Sequence, residues 1–270
     1  MRASELRVRA PSATPIAPAR PAPAPAWRAA EGRITAIETG GTVDGPGLRF
    51  VAFLAGCPLR CLYCHNPEAT EARNGRITTA GALIDDVAAC TRFLRPAGGG
   101  VTASGGEPLQ QPAFVEAFFR GAKELGLTTA LDTSGFLGRR ATDELLDLTD
   151  LVLLDIKSWE TGTYERVTGA PLRPTLAFAG RLAARGTPVW IRFVLVPGLT
   201  DAPRNIAGVA DFAAGLPNVE RVEVLPFHKM GEAKWEALGR ENRLAATPAA
   251  TPAQAERARD IFRARGIPTF

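Results

Sequence analysis

Three of the chain's four cysteines stand within eight residues, Cys57-x3-Cys61-x2-Cys64, in "GCPLRCLYCHNPE". Thiolates this close together bind metal or do redox chemistry. A single zinc ion held by Cys57, Cys61, Cys64 and His65 would need the adjacent residues 64 and 65 to ligate one small tetrahedral ion, a poor geometry. A redox pair of Cys61 and Cys64 leaves Cys57 without a task. A [4Fe–4S] cube takes one thiolate per iron. Three thiolates from one loop then leave one iron without a protein ligand, as catalytic metal sites leave a position for substrate. Cys90, the fourth cysteine, falls in a segment of helical period among Ala89 and Phe93, and reads as a packed free thiol.

Other reactive residue types recur at intervals behind this loop. Gly105-Gly106-Glu107 follows "GVTAS"; with no Cβ, the two glycines let a ligand approach the backbone. Asp132-Thr133 ends "TTALDT", and Asp155-Ile156-Lys157 ends "LVLLDIK", offering hard oxygen donors or caps for the helices that follow. Arg192 interrupts the apolar run "PVWIRFVLV" and would be costly unless paired, which turns it toward a ligand. His228, in "VLPFHKMG", is the only histidine besides His65.

These residues share a position in the pattern: apart from Arg192, which lies within its run, each closes or follows a short β-rich run. From residue 32 such runs alternate with segments of helical period, giving about six β-α units. Helices are expected over 79–94, 112–126, 143–148, 175–185, 205–214 and 252–265. Strands spaced by helices and apolar on both faces pair in parallel. Six units fall short of the eight that close a full barrel, so an open, partial α/β barrel is expected, with a doubly wound sheet as the alternative. In either fold ligands bind at the carboxyl ends of the strands, and one rim would gather the reactive residues.

The chain has 270 residues, 46% of them hydrophobic, and a net charge of +4. That charge belongs to residues 1–30, which carry five arginines and one acid; the remaining 240 residues balance. A neutral body gives no electrostatic ground for a nucleic-acid or membrane partner. Few cysteines, mostly bunched, suit a reduced compartment, and a cytoplasmic location is expected. Residues 1–30, "APSATPIAPARPAPAPAWR" included, are expected to be a disordered Pro/Ala/Arg-rich tail, with 31–270 a single domain. The composition also suits a transit peptide, although the prolines would break the helix such peptides form.

The cysteine spacing, with Tyr63 before the last Cys, is the signature of the radical S-adenosylmethionine enzymes. Six further blocks, "GTVDGPGLRF", "GGGVTASGGEPL", "LDTSGF", "LVLLDIK", "WIRFVLVPG" and "VLPFHKMG", resemble in order the family that activates pyruvate formate-lyase, a glycyl-radical enzyme. The resemblance implies a radical SAM partial barrel in which Cys57, Cys61 and Cys64 hold the [4Fe–4S] cluster. It implies that the reduced cluster cleaves S-adenosylmethionine to a 5′-deoxyadenosyl radical, which takes a hydrogen from a glycine Cα of the partner. Cofactor contacts are implied at Tyr63, Cys64, His65, Gly105, Gly106, Glu107, Asp155, Ile156, Lys157, Arg192 and His228. A monovalent cation, Na+ or K+, is implied at Asp132, Thr133, Asp155 and the Leu153 carbonyl. Asp44, in a flexible glycine loop, is implied to meet the partner's glycyl segment. Flavodoxin or ferredoxin is the implied reductant, and the enzyme is expected to act as a monomer. A radical enzyme that activates another glycyl-radical enzyme or acts on a small molecule, and a non-catalytic iron–sulfur electron carrier, are the competing functions. The carrier would want all four irons capped and would not need the rim residues.

Overall fold

The structure, a computed structural model, describes residues 24–270. In chain order its strands and helices are β1 (Glu31–Gly41), β2 (Arg49–Leu54), β3 (Arg76–Thr79), α1 (Ala80–Leu94), β4 (Gly100–Gly105) and α2 (Pro112–Glu124). There follow β5 (Thr128–Thr133), α3 (Asp143–Asp147), β6 (Leu151–Asp155), α4 (Thr161–Thr168) and α5 (Arg173–Arg185). The last are β7 (Val189–Leu195), α6 (Pro203–Ala214), β8 (Val219–Pro226), α7 (Glu232–Ala237) and α8 (Pro252–Arg263). Helix starts follow local chemistry: Thr79 Oγ1 accepts from the Ala82 N–H, and Thr251 and Gln254 form a capping box.

All eight strands join one sheet in the order β3-β1-β2-β4-β5-β6-β7-β8. The six from β2 to β8 run parallel and stand side by side in chain order. A doubly wound sheet reverses strand order at a switch point, and none occurs here. Right-handed crossovers without reversal keep every helix on one face, so the sheet curls around its other face. β3 and β8 remain unpaired with each other, which leaves the barrel open. The antiparallel β1 and β3 extend the sheet beyond the six expected units.

Alternation along each strand separates two layers. Phe50, Leu54, Val101, Ala103, Leu131, Val152, Leu154, Ile191 and Phe193 face the helices and merge into the main core with Phe114, Phe118 and Phe119 of α2. Each fully buried Val, Leu, Ile or Phe among them contributes about 1.5–3 kcal/mol. The opposite parity faces the barrel interior. There Ala130, Leu151, Leu153 and Trp190 form a small apolar floor. The chain end covers the free edge of β8: Val222 and Val224 N–H groups donate to the Pro268 and Phe270 carbonyls.

The tail expectation is corrected at its C-terminal end. Residues 26–29 form a 3₁₀ turn in which the Trp27 ring packs on the core and its Nε1 donates to Glu124 at 2.9 Å. Arg28 pairs with Asp85 of α1 at 2.6 Å. The expectation for residues 1–23 lies outside the described residues.

Candidate active site

The loop after β2 is held at its ends and in its middle. Gly56 and Cys57 N–H groups donate to the Ala69 and Thr70 carbonyls at 2.7 and 3.0 Å. Arg60 and Leu62 N–H groups donate to Thr168 and Val167 at the end of α4. Cys57, Cys61 and Cys64 all line a cavity of about 280 Å³ at the carboxyl ends of the parallel strands, and none is in a disulfide. Burial raises all three thiol pKa values, that of Cys61 to about 12, so the free thiols hold their protons until a cation displaces them. Among the described residues no three His, Cys, Asp or Glu side chains gather as a single ion requires. A cube that takes one thiolate on each of three separate irons suits three cysteines on one cavity wall. Tyr63 on the same wall is 7% exposed, and its hydroxyl has no hydrogen-bond partner, which leaves a buried polar group for a ligand to satisfy.

Glycine is required where the cysteine loop meets the turn after β4. A Cβ on Gly106 would lie 2.4 Å from the Gly56 carbonyl oxygen and 2.7 Å from that of Ala69. Gly105 has φ +105° and would meet Leu54 N at 2.3 Å. Both line the cavity; Gly105 lets the end of β2 pass close by, and Gly106 the backbone of the cluster loop.

Parity decides which rim residues reach the cavity. Asp155 and Lys157 point inward and pair at 2.6 Å; Ile156 between them faces the helices and is fully buried in the main core. Leu153, also inward, belongs to the apolar floor below and is absent from the cavity wall. Asp132 accepts from Ser104 Oγ at 2.6 Å and lies 3.4 Å from Arg192. Burial raises the Asp132 pKa to about 6 although Arg192 opposes the shift. Arg192 also pairs with Glu223 at 3.1 Å and donates to the Val43 carbonyl. Burial opposes charge on both Arg192 and Lys157, yet their carboxylate neighbours outweigh it and both pKa values rise. The His65 and His228 rings lie 4.3 Å apart and tilted by 34°, and burial together with His228 lowers the His65 pKa.

Glu107 departs from its expected place on the wall. It is 1% exposed and accepts from Leu109 N (3.1 Å) and Thr133 Oγ1 (2.6 Å) on one oxygen. Its other oxygen accepts from Ser134 N (3.0 Å) and Ser134 Oγ (2.5 Å). A carboxylate with four donors is spent on joining the β4 turn to the end of β5. Thr133 Oγ1 is likewise engaged, since it also accepts from Gly135 N. Of the residues expected to hold a monovalent cation, Asp132, Thr133 and Asp155 line the cavity; Asp132 and Asp155 pair with Arg192 and Lys157, and the Thr133 hydroxyl donates to Glu107. In the loop that carries Asp44, the Val43, Asp44 and Pro46 carbonyls accept from Arg192, Thr102 and Arg49.

Two residues the sequence did not point to bear on the site. Trp235 of α7 donates from Nε1 to the Cys64 carbonyl at 2.9 Å. Glu223 neutralises Arg192 from β8. Alternation along "VERVEVLP" is the one signal that could have put Glu223 inside. For Trp235, across 171 residues of sequence, there is none.

Residues 51–209 match the model of the Radical SAM superfamily. The chain is 44% identical over 215 residues to the pyruvate formate-lyase 1-activating enzyme of Escherichia coli (strain K12), covering 79% of this chain and 87% of that one. It is 43% identical over 216 residues to the pyruvate formate-lyase-activating enzyme of Staphylococcus aureus (strain USA300), covering 77% and 86%. A radical SAM methyltransferase from Sphaerobacter thermophilus superimposes with TM-score 0.59 over 85% of this chain and 70% of that one; at 21% identity it shares the fold alone. The chain belongs to the radical SAM superfamily and, within it, to the pyruvate formate-lyase-activating enzymes.

Proposed function

We infer that this chain activates pyruvate formate-lyase, its family's function, by generating a glycyl radical. The observation that carries the reading is the strand-end cavity whose wall holds three cysteines and no fourth. When bound there, the [4Fe–4S] cluster and S-adenosylmethionine supply a 5′-deoxyadenosyl radical that removes a hydrogen from the partner's glycine Cα.

The chain's own residues supply position and charge. Cys57, Cys61 and Cys64 hold three irons. Tyr63, with its unpartnered hydroxyl, contacts the cofactor, as do His65, His228, Gly105 and Gly106. Lys157 and Arg192 supply donors for a carboxylate. Glu107 acts from behind the wall by fixing the turn and Ser134. A monovalent cation at Asp132, Thr133, Asp155 and the Leu153 carbonyl requires Lys157 and Arg192 to give up part of their pairing. Residues 31–270 act as one domain, and the enzyme acts as a monomer in the cytoplasm. No helix among the described residues is long and apolar enough to cross a membrane. The reductant is a flavodoxin or ferredoxin. Its approach is supported by a second cavity, of about 350 Å³, which Cys61 and Cys64 share with Arg60, Arg240 and Arg243.

Anaerobically reconstituted protein, reduced and given S-adenosylmethionine and pyruvate formate-lyase, tests this function. The expected result is 5′-deoxyadenosine together with a glycyl radical on the partner. An electron carrier gives no 5′-deoxyadenosine. A small-molecule enzyme gives it with no radical on the partner, and either outcome overturns the reading.

A further inference from the structure

Residues 42–48 join β1 to β2, and three of their carbonyls are each held by a different side chain. Arg192 Nη2 donates to Val43, Thr102 Oγ1 to Asp44 at 2.7 Å, and Arg49 Nη1 to Pro46 at 3.3 Å. Two of these fastenings are linked, because Thr102 Oγ1 also accepts from Arg49 Nε at 3.0 Å. Glycines permit the path: Gly45 has φ +124°, and at Gly47 (φ +69°) a Cβ would lie 2.4 Å from the Ala97 carbonyl oxygen.

Arg49 is fully buried and forms no ion pair among the described residues. Its remaining donors go to Thr128 Oγ1 at 2.7 Å, the Val101 carbonyl and the Thr128 carbonyl. Every acceptor is neutral. A buried cation with no carboxylate in direct contact carries a desolvation cost: burial lowers its pKa to about 10, against the more distant Asp150 and Asp44, which raise it. What the guanidinium provides in return is geometric. Its planar fork of five N–H donors reaches β4, β5 and the loop at once, which no neutral side chain can do. Neither Arg49 nor Thr102 lines the cofactor cavity, so cofactor chemistry does not account for them.

We propose that Arg49 and Thr102 are positioning residues for recognition of the partner: they fix the Val43–Pro46 backbone so that the Asp44 carboxylate is presented to the partner's glycyl segment. This rests on the reading that Asp44 meets that segment, and the test separates the two. Thr102→Val keeps the shape and removes both hydrogen bonds. Thr102→Ser restores the hydroxyl. Asp44→Asn removes the carboxylate itself. The KM for pyruvate formate-lyase is measured for each, beside 5′-deoxyadenosine formation by reduced enzyme without partner.

Thr102→Val is expected to raise the KM about tenfold, the size of losing two hydrogen bonds of modest net worth, with partner-free cleavage within about twofold of wild type. Thr102→Ser is expected to return the KM to wild type. Arg49→Lys keeps the cation but lacks the fork, and reports the same quantity if Thr102→Val does not fold. A raised KM in Asp44→Asn with an unchanged KM in Thr102→Val overturns the anchoring role. An unchanged KM in Asp44→Asn overturns the reading beneath it. Partner-free cleavage falling in parallel with the KM effect, or loss of the fold in both variants, makes the pair merely structural and also overturns the proposal.

Discussion

Glu107→Gln changes one atom, and the geometry states why that atom matters. Each carboxylate oxygen accepts from one hydroxyl and one backbone N–H: Thr133 Oγ1 and Leu109 N on the first, Ser134 Oγ and Ser134 N on the second. A hydroxyl can rotate to accept from an amide, but a backbone N–H cannot. Whichever way the glutamine amide turns, its NH2 faces a backbone donor. One buried N–H then loses its acceptor, at about 1–3 kcal/mol, and the surviving bonds lose their charge assistance. Burial raises the Glu107 pKa, so removing the charge returns part of this cost. The net expectation is a loss of about 1–3 kcal/mol, or roughly 2–4 °C in melting temperature per kcal/mol at this chain length. Thermal melting of the apoprotein at pH 7, followed by circular dichroism, reads it directly. A variant that melts with the wild type or above it would refute the hub assignment. A variant that melts with the wild type but fails to cleave S-adenosylmethionine would return Glu107 to the cavity wall.

Gly106→Ala places a methyl against the Gly56 and Ala69 carbonyls and must displace the cluster loop; iron bound per chain after reconstitution is expected to fall sharply, whereas Gly162→Ala, with open space around it, leaves it unchanged. Cys61→Ala is expected to abolish cluster assembly, while Cys90→Ala, half-buried on α1 and packed on the core, leaves iron content at the wild-type level; equal loss in both would contradict the ligand set. Asp132 carries a pH signature in the apoprotein. Its folded pKa of about 6 lies above the unfolded value near 3.8, so the folded state holds the proton more tightly. Its ionisation therefore opposes folding increasingly as pH rises from about 4 through 6, and Asp132→Asn is expected to gain about 2–3 kcal/mol on wild type between pH 4 and 8. Urea unfolding at both pH values checks this, and a difference independent of pH would contradict it.

The sequence carried the chemistry better than the directions of side chains. The six parallel strands and the cysteine loop were legible because short apolar runs, each ended by a reactive residue, alternate with capped helical segments. Which residue of "DIK" faces the cavity was not legible: a strand buried on both faces has no hydropathy difference to mark the inner one, and Ile156 reads like its neighbours until the register is known. Glu107 was misplaced because a carboxylate beside two glycines looks the same in sequence whether it meets a ligand or four donors of its own chain. β1 and β3 were missed because one is mixed in polarity and the other is four residues long. Trp27, one aromatic among alanines and prolines, was the available sign that order begins before residue 31.

The account depends on three protein thiolates and no fourth at the cluster. Mössbauer or ENDOR spectroscopy of the reconstituted, reduced protein, before and after addition of labelled S-adenosylmethionine, tests this most directly. The expected result is one iron distinct from the other three that couples to the label when the cofactor is added. Four protein-ligated irons, or a spectrum indifferent to the cofactor, would contradict it.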